Sequence, residues 1–186
     1  MQAGKIIYQG KTHTHTRKNI ILRYPQVEDA EQLTKYINQL SSEKTYIRFQ
    51  GEQQTIEDEK KWIESFLEKI KNQTGLSIYA VVDDKIVGVC DINMRDRIES
   101  HIGVFGLTVA KEFRQEGIGS VLIDTIMTLA KELIPQLKIV ELSVFANNPI
   151  AINLYKKFGF KEFGRLPGGI LHQGEYIDHL YMYKNV

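Results

Sequence analysis

The residues whose types and spacing could do chemistry cluster in Arg114-Gln115-Glu116-Gly117-Ile118-Gly119-Ser120. Ahead of this run stands a β-prone apolar stretch of Ile102, Val104, Phe105, Leu107 and Val109. Behind it Ile118, Leu122, Ile126, Leu129 and Leu133 recur at helical spacing until Pro135. A strand feeding a helix through such a turn leaves backbone N–H groups pointing outward at a helix N-terminus. Glycine, with no Cβ, lets that backbone approach a ligand closely. Free N–H groups and the helix dipole favour an anion there, most often a phosphate. The plainer alternative is an ordinary strand-to-helix turn, where glycine is common.

Two familiar phosphate loops do not fit. The dinucleotide fingerprint needs a third glycine where Leu122 stands. Gly10-Lys11-Thr12 mimics the end of a P-loop, but the required upstream glycine falls on Lys5, with Gly4 one place out. A second constellation follows at 147–160. Asn148 reads as a helix N-cap with Pro149 at the first helical position, which occupies its side-chain oxygen and leaves its amide N–H groups free. Tyr155 lies seven residues on, two helical turns away on the same face. Gly159 reads as the helix C-cap.

The elements that must position these groups follow from periodicity. A short strand at 5–11 precedes a first core strand at 19–24, ended by Pro25. Val27, Ala30, Leu33, Ile37 and Leu40 mark an amphipathic helix to about residue 41. A loop-like stretch, 41–54, carries Tyr46, Ile47 and Phe49. A second helix, 58–71, shows Trp62, Ile63, Phe66, Leu67 and Ile70 on one face and charge on the other. Strands at 77–82 and 86–94 are joined by Asp83-Asp84-Lys85, a hairpin signal. Polar residues 95–100 turn into the central strand. The glycine-bearing helix, a strand at 139–145 and the Asn148 helix come next. Strands at 161–166 and 176–184 close the chain, with Pro167-Gly168-Gly169 and Gln173-Gly174 read as turns. This order predicts a mixed α/β sheet with antiparallel hairpins and a few crossover helices. Residues 1–18 form an N-terminal extension and 19–186 one domain.

Composition narrows the function. With 186 residues, 42% of them hydrophobic and 25% charged, the chain supports one domain with a real core. A net charge of +1 provides no basic field for nucleic acid or an anionic membrane. No stretch reaches the roughly 18 apolar residues of a membrane span, and residues 1–18 lack a signal-peptide core. These features predict a cytoplasmic protein. Cys90, the one cysteine, sits in an apolar strand and reads as a small core residue. His13 and His15 share one face of an extended segment, but no cysteine or acid lies nearby to complete a metal site, so no metal is expected.

The run Arg114-Gln115-Glu116-Gly117-Ile118-Gly119 resembles the acetyl-coenzyme A signature of the GNAT superfamily of N-acetyltransferases, Arg/Gln-x-x-Gly-x-Gly/Ala. The second half of that signature, Asn-x-x-Ala-x-x-Leu-Tyr and then Gly-Phe, is similar to Asn148-Pro149-Ile150-Ala151-Ile152-Asn153-Leu154-Tyr155 with Gly159-Phe160. The resemblance spans about residue 20 to the C-terminus. It implies a sheet whose central strands splay to admit acetyl-coenzyme A. The backbone N–H groups of Gln115, Glu116, Gly117, Ile118, Gly119 and Ser120 would hold the pyrophosphate, and Arg114 would either add charge to the phosphates or be a solvated arginine. Leu107, Thr108 and Val109 would pair with the pantetheine arm along a bulged strand, one N–H polarising the thioester carbonyl. Such a donor is worth about 3–4 kcal/mol. Asn148 would bond the cofactor arm. Tyr155 would protonate the departing thiolate, with a packed tyrosine as the alternative reading. The short ending Gly174-Glu175-Tyr176-Ile177-Asp178 resembles that of branches acting on small amines and protein N-termini, and with loop 41–49 would wall the acceptor side.

The resemblance implies an N-acetyltransferase moving acetyl from acetyl-coenzyme A to a primary amine (a small molecule, an amino acid or a protein N-terminus) by direct attack in a ternary complex. Cys90 is no acyl carrier. A base or a water chain to one is expected, because an ammonium has no lone pair. Glu43, Asp91, His101 and Glu175 are its candidates, and no motif chooses among them. Two rivals stand beside this reading: a non-catalytic coenzyme A-binding module, and an acyltransferase using a longer donor. The extra N-terminal segment and the apolar last strand predict a homodimer.

Overall fold

The computed structural model describes residues 2–12 and 17–186, so the paired histidines at 13 and 15 lie outside the described residues. One sheet of eight strands runs through the molecule, in the order β1-β2-β3-β4-β5-β6-β8-β7. The strands are β1 (Ile6–Lys11), β2 (Asn19–Arg23), β3 (Gly75–Val82), β4 (Lys85–Met94), β5 (Ile102–Val109), β6 (Ile139–Phe145), β7 (Lys161–His172) and β8 (Glu175–Asn185). The helices are α1 (Ala30–Ser42), α2 (Ile56–Lys71), α3 (Ile118–Leu133) and α4 (Pro149–Lys157). The mixed α/β architecture is the one the element order predicts, and β1 adds an edge strand antiparallel to β2.

Three details differ from the sequence reading. Helix α2 starts at Ile56, two residues before the expected start. Thr55 caps it: its Oγ1 accepts from the Asp58 N–H at 3.2 Å, while Asp58 Oδ2 accepts from the Thr55 N–H at 3.1 Å. This reciprocal pair is a capping box with Asp in the role more often taken by Glu. Pro167-Gly168-Gly169 is not a turn. Strand β7 continues through it, with a register shift between Leu166 and Ile170. An edge strand tolerates proline and an unpaired bulge because one side of its backbone faces solvent. Finally, β5 carries no bulge against β4: the register is unbroken from Met94↔Gly103 to Gly88↔Val109.

The opening that the resemblance predicts is nevertheless present. Strands β5 and β6 are parallel partners only at Ile102↔Ile139, Gly103↔Val140 and Val104↔Glu141. Beyond these pairs they diverge. Strand β5 follows β4, while β6 is held on its far side by β8 along its whole length, from Ile139↔Asn185 to Phe145↔His179.

Each face of the sheet has its own cover. On the back, Leu122, Ile123, Ile126 and Ala130 of α3 are buried with Ile78, Ala80, Cys90, Ile92, Val140 and Leu142. On the front, Leu33, Tyr36 and Leu40 of α1 and Ile63 of α2 are buried with Tyr79, Ile86 and Val89. Each fully buried aliphatic side chain contributes about 1.5–3 kcal/mol. Cys90 is fully buried, and that burial pushes its thiol pKa well up, as suits an inert core residue. Val140, Leu142 and Val144 of β6 and Leu180 and Met182 of β8 point back into the core. By alternation, Ser143, Phe145, His179 and Tyr181 face the front. There Ser143 is exposed and Val104 of β5 is 39% exposed.

Candidate active site

The gap between β5 and β6 presents backbone. Ala110 donates its N–H to Val87 O at 2.9 Å, on the β4 side. Backbone direction alternates along a strand. Thr108 and Gly106 therefore share Ala110's phase, and the N–H groups of Leu107 and Val109 face the gap. Strand β6 has moved away at that level, so this edge of β5 lacks a strand partner. Leu107 and Val109 are only partly buried, against the back core. Thr108 points to the front, where Tyr36 donates its hydroxyl to Thr108 Oγ1 at 2.9 Å. Burial of Tyr36 raises its phenol pKa and keeps that proton in place.

At the wide end of the gap the chain turns through Lys111–Phe113 into α3. Gln115 (φ 64°) and Gly117 (φ 81°) are both left-handed. Successive N–H groups in such a turn converge into an anion-binding concavity. The first intrahelical bond of α3 is Val121 N–H to Gly117 O at 3.1 Å, so Ile118, Gly119 and Ser120 present N–H groups that the helix itself does not use. A Cβ on Gly119 would lie 3.3 Å from Leu154 of α4 and 3.6 Å from Leu107 of β5. The phosphate-type loop, the open strand edge and α4 therefore meet at one place. Arg114 does not point at this concavity. Its Nε donates to Val109 O at 3.0 Å and its Nη2 to Glu43 Oε2 at 2.6 Å, tying the end of β5 to the end of α1.

Helix α4 brings its two residues to the back of the gap. Asn148 caps the helix, its Oδ1 accepting from Ala151 N–H at 3.2 Å; its amide N–H groups make no hydrogen bond among the described residues. Tyr155 packs edge-on against Phe105 of β5, with ring centroids 6.0 Å apart, and against Phe160 at 5.9 Å. Tyr155 is 8% exposed. Desolvation raises its pKa, so the hydroxyl keeps its proton at neutral pH.

On the front, a cavity of about 430 Å³ lies between the α1–α2 connection, the end of β5 and the β7–β8 hairpin. Glu43, Tyr46, Lys111, Arg114, His172 and Glu175 line it. Tyr46, His172 and Phe145 form one aromatic cluster, with centroids 5.2–5.7 Å apart. His172 Nε2 and Gln173 Nε2 both donate to Lys44 O, at 3.0 and 3.2 Å, and close the hairpin onto the connection. Asp178 does not reach the cavity lining. It accepts from Gly168 N–H at 3.0 Å and from Arg165 at 3.2 Å, fastening the bulge of β7.

The four candidate bases separate clearly. His101 is exposed at the narrow end of β5, away from the gap's mouth. Glu175 lines the cavity at the exposed hairpin. Glu43 is engaged by Arg114, and its other oxygen, Oε1, is buried without a partner. Asp91 stands opposite Gly106, beside the gap, and burial raises its pKa to about 6. Loop 41–49 and the last hairpin, which sequence reasoning assigned to the acceptor side, both contribute to the lining of this cavity. Sequence reasoning missed Tyr36, Phe145, Lys111 and His172, which distant segments bring together and which no local pattern marks. No cluster of three potential metal ligands occurs among the described residues, and none of their helices is long and apolar enough to cross a membrane.

Comparison with known proteins agrees with this geometry. Residues 35–160 match the model of the Acetyltransferase (GNAT) family. An L-amino acid N-acetyltransferase, AaaT, of Escherichia coli K12 is 31% identical over 117 residues, covering 62% of this chain and 72% of that protein. A solved GNAT-family acetyltransferase from Streptococcus pneumoniae shares the fold at TM-score 0.83 and 24% identity, covering 90% of this chain and 99% of that one. RimL, a ribosomal L7/L12 alpha-N-protein acetyltransferase solved in complex with coenzyme A, shares it at TM-score 0.79 and 14% identity, covering 98% of each.

Proposed function

Because this chain belongs to the acetyltransferase (GNAT) family, we propose that it moves an acetyl group from acetyl-coenzyme A to the α-amine of an amino acid or of a peptide N-terminus, by direct attack. The observation that carries this reading is the union of an unpaired strand edge at Leu107 and Val109 with the left-handed turn at Gln115 and Gly117. One part suits an amide-bearing arm and a thioester carbonyl, the other a pyrophosphate. The names of the relatives support the acceptor class: one acts on L-amino acids and one on a protein α-amine.

The residues divide the work by face. The N–H groups from Gln115 through Ser120 hold the phosphates, with the positive end of α3 behind them. The N–H groups of Leu107 and Val109 align the arm and stabilise charge developing on the carbonyl oxygen. Asn148 offers the amide N–H groups that capping leaves free. Tyr155, protonated and beside Phe105, supplies a proton to the departing thiolate. The acceptor enters from the front, past Tyr46 and His172, so donor and acceptor meet across β5. Acetyl-coenzyme A supplies the activated acyl group; the protein supplies alignment and proton transfer.

Calorimetry with acetyl-coenzyme A and coenzyme A tests the donor site, with Gly119→Glu as the probe. Gly119 is not at positive φ, a glutamate in the first turn of a helix suits its dipole, and the Leu154 methyl that its Cβ meets at 3.3 Å need move only a few tenths of an ångström, so the fold of the variant is checked by circular dichroism before titration. Its carboxylate would sit among the N–H groups meant for the pyrophosphate. Like charges so placed cost several kcal/mol, a loss of at least about 100-fold in affinity. Parent protein that binds neither molecule would refute the reading. Binding without release of free thiol toward any amine would establish a coenzyme A-binding module in its place.

A further inference from the structure

We propose that the Asp91 carboxylate takes the proton from the incoming ammonium, an inference that rests on the acetyl-transfer reading above. Asp91 is on β4, in register with Gly106 of β5, and both face the front of the sheet. Its neighbours in sequence, Cys90 and Ile92, point into the back core. A Cβ on Gly106 would lie 3.0 Å from Asp91 Oδ2 and 3.3 Å from Oδ1. The carboxylate therefore rests directly over the backbone of Gly106 and uses the space that glycine leaves. The next residue is Leu107, whose N–H faces the gap. Asp91 thus stands on the acceptor's side of β5, one residue from the strand edge that would align the thioester.

Its bonding also sets it apart. Three other acids flanking the front face are engaged by cations: Glu43 by Arg114, Glu141 by Arg95, and Asp178 by Arg165. Glu175 and Glu59 form no ion pair among the described residues, but Glu175 stands at the exposed hairpin and Glu59 on α2, neither of them over β5. No hydrogen bond reaches the Asp91 carboxylate among the described residues, and the residue is only partly buried. Protein crowds the carboxylate enough to disfavour its charge, yet its partly open surface leaves it able to meet an incoming group.

The surroundings keep Asp91 near the working range of a base. From α2 comes the Lys69 ammonium, whose charge favours the carboxylate. From β3 come Ser77, directly opposite in register, and Tyr79, whose hydroxyls are both buried without a partner. From β5 come only Gly106 and, two residues on, Thr108, with Tyr36 of α1 bonded to it. Desolvation outweighs Lys69 and lifts the pKa to about 6. An α-ammonium has a pKa of about 7.7–8.0 and a lysine ammonium about 10.4. Asp91 lies roughly two units below the first and more than four below the second, so this base suits an α-amine acceptor and disfavours a lysine side chain.

The protons balance. One moves from the ammonium nitrogen to a carboxylate oxygen of Asp91. The freed lone pair forms the C–N bond of the amide as the C–S bond of the thioester breaks. The nitrogen's second departing proton goes to the leaving thiolate, through Tyr155, and Asp91 returns the first to water. The net products are the amide, free coenzyme A thiol and one proton.

The test compares the parent with Asp91→Asn, using acetyl-coenzyme A and a panel of amino acids and short peptides with free N-termini, from about pH 5 to about pH 9. For the parent, kcat/KM should fall on the acid side with an apparent pKa near 6. In the variant that limb should disappear and kcat should drop about 100-fold or more, with coenzyme A affinity unchanged. A carbon-detected NMR titration of the ligand-free parent should place the Asp91 carboxyl near 6. The proposal is overturned if Asp91→Asn keeps its rate and its acid limb, or if the carboxyl titrates in the ordinary aspartate range. A parent inactive toward every amine would sink the acetyl-transfer reading and this inference with it. An active parent with an equally active variant would sink the inference alone.

Discussion

All eight residues of β3 are buried, from Gly75 to Val82, whereas β5 buries only Gly103 and Phe105 of its eight. Only β4 stands between the two strands, and both are mostly apolar. Strand β3 pairs with β4 along its length and with β2 over Tyr79–Val81, between α3 behind and α1 and α2 in front. Strand β5 has a full partner in β4, but β6 leaves it after three residues, and α1 meets its front face through the Tyr36 hydroxyl at Thr108. An apolar strand with an unpaired edge is stable only if something else completes it. In β3 the chain completes itself. In β5 the chain leaves the edge open beyond Val104, and on the function proposed above a ligand would complete it.

Substitutions on the two strands should therefore fail in different ways. Ile78, fully buried in β3, should cost about 2–5 kcal/mol when cut to alanine. Its activity per folded molecule should be unchanged. Leu107→Ala on β5 removes a side chain that only partly joins the core. It should cost about 1 kcal/mol of stability and a larger share of coenzyme A affinity. Urea unfolding and calorimetry on both variants decide the matter. Equal stability losses would mean that β5 is a core strand like β3, and the contrast would collapse.

Asp91→Asn sharpens the same contrast through stability. The folded chain binds the Asp91 proton more tightly than the unfolded chain, since its pKa rises from 3.8 to about 6. The native state therefore loses stability as pH rises through that window and does not recover it above. A neutral asparagine removes the loss. The variant should be more stable than the parent at pH 7, by up to about 3 kcal/mol, and no different near pH 3. An aspartate held for structure would show the opposite sign at pH 7. Tyr155→Phe comes next in size. Its hydroxyl has no hydrogen-bond partner among the described residues, so stability should hold. The rate should fall about tenfold, because a thiol of pKa near 8.5 is an adequate leaving group without help.

The difference between the strands was only half legible in the sequence. Ile102, Val104, Phe105, Leu107 and Val109 announce a strand, and Arg114 to Gly119 announce the loop that follows, because both signals are local. Nothing local says that β6 will depart after Val104. That depends on β8 holding β6 from the far side, through residues some forty positions on. Cavity residues were hidden for the same reason, with His172 bonded to Lys44 across 128 positions. Asp91 was one candidate base among four until the register set it over Gly106. The bulge at Pro167 was misread because proline and glycines signal a turn, and only the sheet order shows that β7 is an edge.

The smallest effect concerns a backbone group on the gap edge at the end of β5 that the chain does satisfy. Val109 O accepts from Arg114, and Arg114 in turn holds Glu43. The arginine side chain is 37% exposed and the glutamate 14%. An ion pair with its arginine open to water contributes about 1 kcal/mol, the upper end of the range for surface pairs, since the glutamate is largely covered. A double-mutant cycle of Arg114→Ala and Glu43→Gln, followed by unfolding, should return a coupling of that size. Coenzyme A affinity in Arg114→Ala should change by less than about threefold, because the phosphate-facing groups are backbone N–H and the guanidinium is turned toward α1. A tenfold loss would mean that Arg114 leaves Glu43 for the phosphates when the ligand arrives. Strand β5 would then be completed by a side chain only while its ligand is absent, and would exchange that side chain for the ligand on binding.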